Sequence, residues 1–130
     1  MEVDMREHKD TITEIPEHEM RILLTLGMEF GFDPVSCEES RRYFAGLLSK
    51  HQEANEDERV DRLRSIIAKD FTGREGKPRW LRHPAWPFVH GRPMLFVGQL
   101  ELCYKQSSEE RDVIYVFRDQ ATGLTRTIVQ

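Results

Sequence analysis

Cysteine is scarce in this chain: Cys37 and Cys103 are the only two in 130 residues, and they form no C-x-x-C motif. Two isolated thiols exclude a disulfide-stapled scaffold, and in a chain without a leader they read as reduced. Long apolar runs are absent as well. Nothing approaches the roughly 18 residues needed to span a bilayer, and the opening residues are too acidic and polar for a secretory signal. The expected location is therefore cytoplasmic, with no membrane contact. Catalytic signatures are missing too. There is no G-x-S-x-G elbow for a nucleophilic serine, and Gly73 and Gly76 lead into prolines rather than into a phosphate-cradling helix. Carboxylate groups such as Glu56, Asp57 and Glu58 fall where a helix would begin, and the macrodipole favours acids there for structural reasons.

What is present is charge, and it is unevenly placed. Charged residues make up 32% of the chain against 38% apolar, with a net charge of -4. Residues 1–21 hold seven acids and three bases, whereas residues 74–92 hold five bases and only Glu75 as an acid. The overall acidity argues against nucleic acid as the partner, but the middle of the chain is locally basic.

Residues 1–15 carry few large apolar groups and are expected to form a flexible tail. From Pro16 the apolar stripe Met20, Leu23, Leu24 and Gly27 predicts a helix over 16–30, closed by Gly31. Ser36 and Glu39 form a capping-box pattern that predicts a second helix with Cys37, Phe44, Leu47 and Leu48 inward. Asn55 and Glu58 repeat that logic ahead of Val60, Leu63, Ile66, Ile67 and Phe71, which predicts a third helix ending near Gly73. Residues 73–93 then carry four prolines and three glycines, and no regular element is expected there. Three strands follow, at 94–104, 113–117 and 124–129, the last two joined by a glycine-ended hairpin loop. Met94, Phe96, Leu100 and Leu102 are expected on one face of the first strand. The fold class is α+β: a three-helix segment (16–72) packed on an antiparallel sheet of about three strands (94–130), in one domain spanning 16–130.

The loop at 73–93 carries the candidate site. Trp80 and Trp86 alternate with Arg79, Arg82 and Arg92, and tryptophan and arginine are enriched at binding hot spots. Adding His83, His90 and Gln99 completes the candidate binding set. The bland alternative is that Trp80, Leu81, Trp86 and Phe88 cover the sheet while the arginines reach water. Gln99 follows Gly98, and a bulge at that glycine would turn the glutamine amide inward onto the backbone of the Trp loop. His83, His90 and Cys103 are a conceivable metal set, but histidines beside prolines more often cap backbone or face solvent, so no metal and no cofactor are expected.

One resemblance is carried by Gly76, Pro78, Trp80, Trp86, Pro87, Pro93, Met94, Phe96, Gln99, Leu100 and Leu102. In that order and spacing they resemble the YwqG-like family of bacterial proteins of unknown function, over roughly residues 73–130. Some members carry paired cysteines between the W-P pair and the following strand. This chain has Val89, His90, Gly91 and Arg92 there, so no metal is carried over. The resemblance implies an association with secreted toxins, and hence an immunity- or antitoxin-type role. The expected function is that of a non-enzymatic cytosolic protein-binding protein. A small-ligand or enzymatic pocket under Trp80 and Trp86, lined by His83, His90 and Arg92, is the alternative, and an edge strand at 124–129 offers a route to a homodimer.

Overall fold

The computed structural model describes residues 15–74, 76–103 and 111–130. Of the expected tail at 1–15, residues 1–14 lie outside the described residues, while Ile15 packs partly buried against the core; the connection at 104–110 and the side chain of Cys103 also lie outside them. The architecture is α+β. Helices α1 (Glu17–Phe30), α2 (Glu38–Lys50) and α3 (Glu56–Asp70) precede a two-stranded ribbon, β1 (Phe88–Val89) with β2 (Arg92–Pro93). A three-stranded antiparallel sheet follows in the order β3 (Leu95–Cys103), β4 (Arg111–Arg118), β5 (Thr125–Val129).

Helix α1 ends because Gly31 turns left-handed, with φ at 85°, so that the amides of Gly31 and Phe32 both bond the Gly27 carbonyl. That reversal sends Phe32 back under Gly27, where a side chain would meet the Phe32 carbonyl oxygen at 2.5 Å. Helix α3 starts as its sequence predicts, since the Asn55 side chain accepts the Glu58 amide at 3.1 Å. Helix α2 does not. Its N-cap is Cys37, with no side-chain cap, and Ser36 lies outside the helix. The buried Ser40 hydroxyl instead donates to the carbonyls of Asp33 and Pro34, tying down the turn that feeds the helix. Shifting the start by one residue leaves Cys37 exposed rather than inward. Arg59 joins the three helices: its guanidinium donates to the Leu48 and His51 carbonyls at the end of α2 and pairs with Glu19 of α1 at 3.3 Å. Cationic donors complement a helix C-terminus, whose last carbonyls lack partners.

Between helices and sheet lies an aromatic core. Phe32 stacks on Phe44 and on Phe71 with centroids 4.7 Å apart, Phe71 meets Trp86 at 5.1 Å, and Trp86 meets Phe117 at 5.4 Å. Each such ring buries roughly 150–250 Å², about 4–6 kcal/mol at ~25 cal/mol per Å². This chain of rings joins the helical half to the sheet.

Two details of the sheet depart from simple alternation. Phe96 pairs with Phe117 but Gly98 pairs with Val116, so Val97 is the extra residue of a bulge. Beyond it the faces exchange: Gln99 sits opposite Tyr115 on the helix side, while Leu100 and Leu102 turn outward with Ile114 and Asp112. The expected inward Leu100 is thus 58% exposed. The stretch 73–93 is also more regular than its prolines suggest. Thr72 and Arg74 bond Phe96 at the edge of β3, and β1 and β2 form a hairpin through His90 (φ 51°) and Gly91 (φ 74°). Two consecutive left-handed residues match the twist of a two-residue hairpin, which suits Gly91 and holds His90 at some steric cost.

Candidate functional site: a basic strap across the sheet

Residues 77–83 cross the helix-facing side of the sheet as an irregular strap that bends at 81–83, and side chains rather than a β-ladder hold its backbone. At its start, Lys77 Nζ donates to the Glu29 carbonyl, and the Trp80 indole N–H donates to the Gly31 carbonyl at 2.6 Å, so both engage the carbonyl end of α1. On β3, Gln99 Oε1 accepts the Arg79 amide at 2.7 Å while Gln99 Nε2 donates to the Arg79 carbonyl at 3.5 Å. On β4, the Tyr115 hydroxyl accepts the Leu81 amide at 2.6 Å and donates to the Arg79 carbonyl at 3.2 Å. After β5, Gln130 Oε1 accepts the Arg82 amide at 2.9 Å and its Nε2 donates to the His83 carbonyl at 2.6 Å. A carboxamide carries one acceptor and one donor set side by side, so each glutamine imitates a peptide unit of a neighbouring strand.

This anchoring sorts the side chains. Trp80 lies over Tyr115 with centroids 4.5 Å apart and stacks on Phe117 at 5.9 Å, and Leu81 is partly buried against the same core. Arg79, Arg82 and His83 are left exposed, with Arg74 and Lys77 upstream. Among the described residues, Arg74, Arg79 and Arg82 have no ion pair, whereas of the helical arginines Arg21, Arg42, Arg59, Arg62 and Arg64 are paired and Arg41 is not.

The expected site residues therefore divide. Arg79, Arg82 and His83 are all exposed on the strap, and Gln99 holds the backbone at Arg79. Trp86 is 1% exposed, its indole N–H donating to the Met94 carbonyl at 2.8 Å, so it is a core residue and presents no binding surface. The space under the tryptophans is filled by Phe71, Phe96, Tyr115 and Phe117, which leaves no room there for a ligand. His90 sits at the tip of the β1–β2 hairpin beside Gly91, whose amide bonds Glu39 at 3.3 Å. Arg92 lines a separate cleft of about 120 Å³ with Lys69, Asp70, Pro93, Asp119 and Gln120, well below the roughly 300 Å³ of an ordinary ligand pocket. In its wall Asp70 accepts the Tyr43 hydroxyl, and burial, then that bond, then the carboxylate charge hold the phenol proton far above its usual range. Asp119 is held below the carboxylate range by the Thr122 hydroxyl first, with the Ala121 and Thr122 amides and Arg92 adding to it against the opposing effect of burial. Among the described residues no three His, Cys, Asp or Glu side chains converge to hold a metal.

Tyr115, Gln130 and the carbonyl end of α1 were not among the expected site residues. Tyr115 stands in a β-branched, aromatic run that reads only as core, and the partner of Gln130 is 47 residues away. A folded α+β domain that fixes a basic irregular segment against its sheet is the class that these observations define. No family model, curated protein or solved structure matches the chain.

Proposed function

We propose that the chain is a cytosolic protein-binding protein whose contact surface is the strap, with Arg79, Arg82 and His83 taking an acidic segment of a partner. One observation carries this reading: the strap backbone is tied along its length to Gln99, Tyr115 and Gln130, so its unpaired cationic side chains face outward from a fixed frame. Pre-organisation lowers the ordering cost of binding, and arginine forks suit carboxylates. Among the described residues no helix is long and apolar enough to cross a membrane, which accords with a partner met in water. A toxin is the particular partner that the YwqG-like resemblance favours, and co-expression with such a protein tests that narrower form.

The general reading is tested by titrating the chain with a synthetic Asp/Glu-rich peptide at low ionic strength and following Trp80 fluorescence. Binding should weaken steeply as salt rises, since exposed charges are screened within about 8–10 Å near physiological ionic strength. Arg79→Glu combined with Arg82→Glu should reduce affinity at least tenfold without changing the melting temperature. Equal binding by the parent and the double variant would rule the strap out.

A further inference from the structure

The sheet has a second face, away from the helices and the strap, and its side chains are ordered by strand register. One row across all three strands is Leu100, Ile114 and Val129. The next is Gly98, Val116 and Thr127. Leu100 and Val129 are 58% and 59% exposed, and neither row contains a charge. Among the described residues, charges stand only beyond them: Asp112 beside Leu102 at one end of β4, and Arg118 beside Leu95 at the other. The space above Gly98 is open, since a Cβ there would meet nothing within 4 Å.

We infer that this face binds a second copy of the chain about a two-fold axis lying in the interface and running across the strands between the two central rows. That operation lays each strand over its own counterpart with direction reversed. Leu100 then sits over the partner copy's Gly98 notch, and Ile114 over its Val116. Val129 sits over Thr127, so the bulky row of each copy meets the smaller row of the other. The same operation brings Arg118 of each copy to Asp112 of the other, adding to the interaction Asp112 already has within its own chain. A single symmetry element thus satisfies both the shape and the charge of the face, the self-complementarity that an isologous dimer requires. Aligned packing of two sheets about 10 Å apart is an ordinary way to bury such faces. Residues 1–14 are a poor alternative cover, because they hold five carboxylates. The strap stays exposed on the outer side of both copies, so this inference stands or falls separately from the acidic-partner reading.

Sedimentation velocity of the full chain over a micromolar concentration series is the test. A concentration-dependent dimer is expected. Leu100→Arg and Gly98→Leu, both at open positions, should each weaken it at least tenfold while circular dichroism melts stay close to the parent's. Arg118→Asp should weaken it, and adding Asp112→Arg should restore it. Those two positions lie about 20 Å apart within one chain, at ~3.3 Å per residue, so restoration requires a contact between copies. A monomer at every concentration overturns the inference. So does a dimer insensitive to Leu100→Arg and Gly98→Leu, or one that only Thr127→Pro disrupts, which would mark pairing through the edge of β5. Failure of the double charge reversal to restore association overturns the proposed axis.

Discussion

Gln99→Leu removes one of the side-chain imitations of a strand and leaves the rest of the strap in place. The parent makes one good bond there, 2.7 Å from the Arg79 amide, and one at the limit of hydrogen bonding, 3.5 Å to the Arg79 carbonyl. A net hydrogen bond is worth about 1 kcal/mol, and Gln99 is near enough to solvent for water to replace part of it. The strap should therefore open more readily by ~1–1.4 kcal/mol, a roughly five- to tenfold rise in the open population. Trypsin reads that population directly, since Arg79 and Arg82 are its targets within the strap and cleavage follows the open fraction when reclosing is fast. Cutting at those two sites should accelerate five- to tenfold, while sites within α2, such as Arg41 and Arg42, change little. Tyr115→Phe should do more. It removes both bonds of a hydroxyl on a fully buried residue and strands the Leu81 amide, about 2 kcal/mol and some 30-fold in opening. Unchanged cutting at Arg79 and Arg82 in both variants, with intact overall stability, would refute the idea that side chains hold the strap.

Two glycines should respond in opposite directions to the same change. Gly27→Ala drives a methyl onto the Phe32 carbonyl at 2.5 Å, inside a reversal that cannot easily yield, and should cost ~1–3 kcal/mol in urea unfolding. Gly46→Ala adds a methyl to exposed space in α2 and should stabilise by up to ~1 kcal/mol. Asp119 gives a pH prediction: its folded pKa lies below the unfolded value of about 3.9, so its contribution is complete above that pH and fades as pH falls through the folded value. Thr122→Val should therefore destabilise the chain near neutral pH, with the gap to the parent narrowing in acid; a pH-independent gap would contradict the assignment.

The elements that could be read in advance were those whose signals are local. Asn55 caps α3 because the capping bond spans three residues, and of the expected stripe Met20, Leu23, Leu24 and Gly27 the structure buries Leu23 and Gly27, with Leu26 inward while Leu24 is 47% exposed. Ser36 with Glu39 carries an equally good local signal, yet the helix begins at Glu38, because the buried Ser40 hydroxyl secures the preceding turn. Alternation along β3 was legible only as far as Phe96. Gly98 hinted at a bulge, but whether Leu100 faces in or out depends on the register with β4, a long-range fact. The site shows the same limit. Arg79, Arg82 and Gln99 could be singled out by composition and motif, while the separation of Trp86 into the core and the gathering of Tyr115 and Gln130 under the strap arise from contacts 8 to 48 residues apart.

Holding the strap by side chains from below has a consequence for change at its surface. A segment recruited by a neighbouring β-ladder must keep residues that favour extended backbone and tolerate close cross-strand neighbours. Here the frame demands little of positions 79, 82 and 83 beyond their main-chain atoms, because Gln99, Tyr115 and Gln130 recognise amides and carbonyls alone. Those three positions can be varied almost as the residues of an antibody loop are, with the scaffold indifferent to the letters displayed. A library randomised there should keep most of its members folded, which makes the strap a practical place to rewrite what the domain holds.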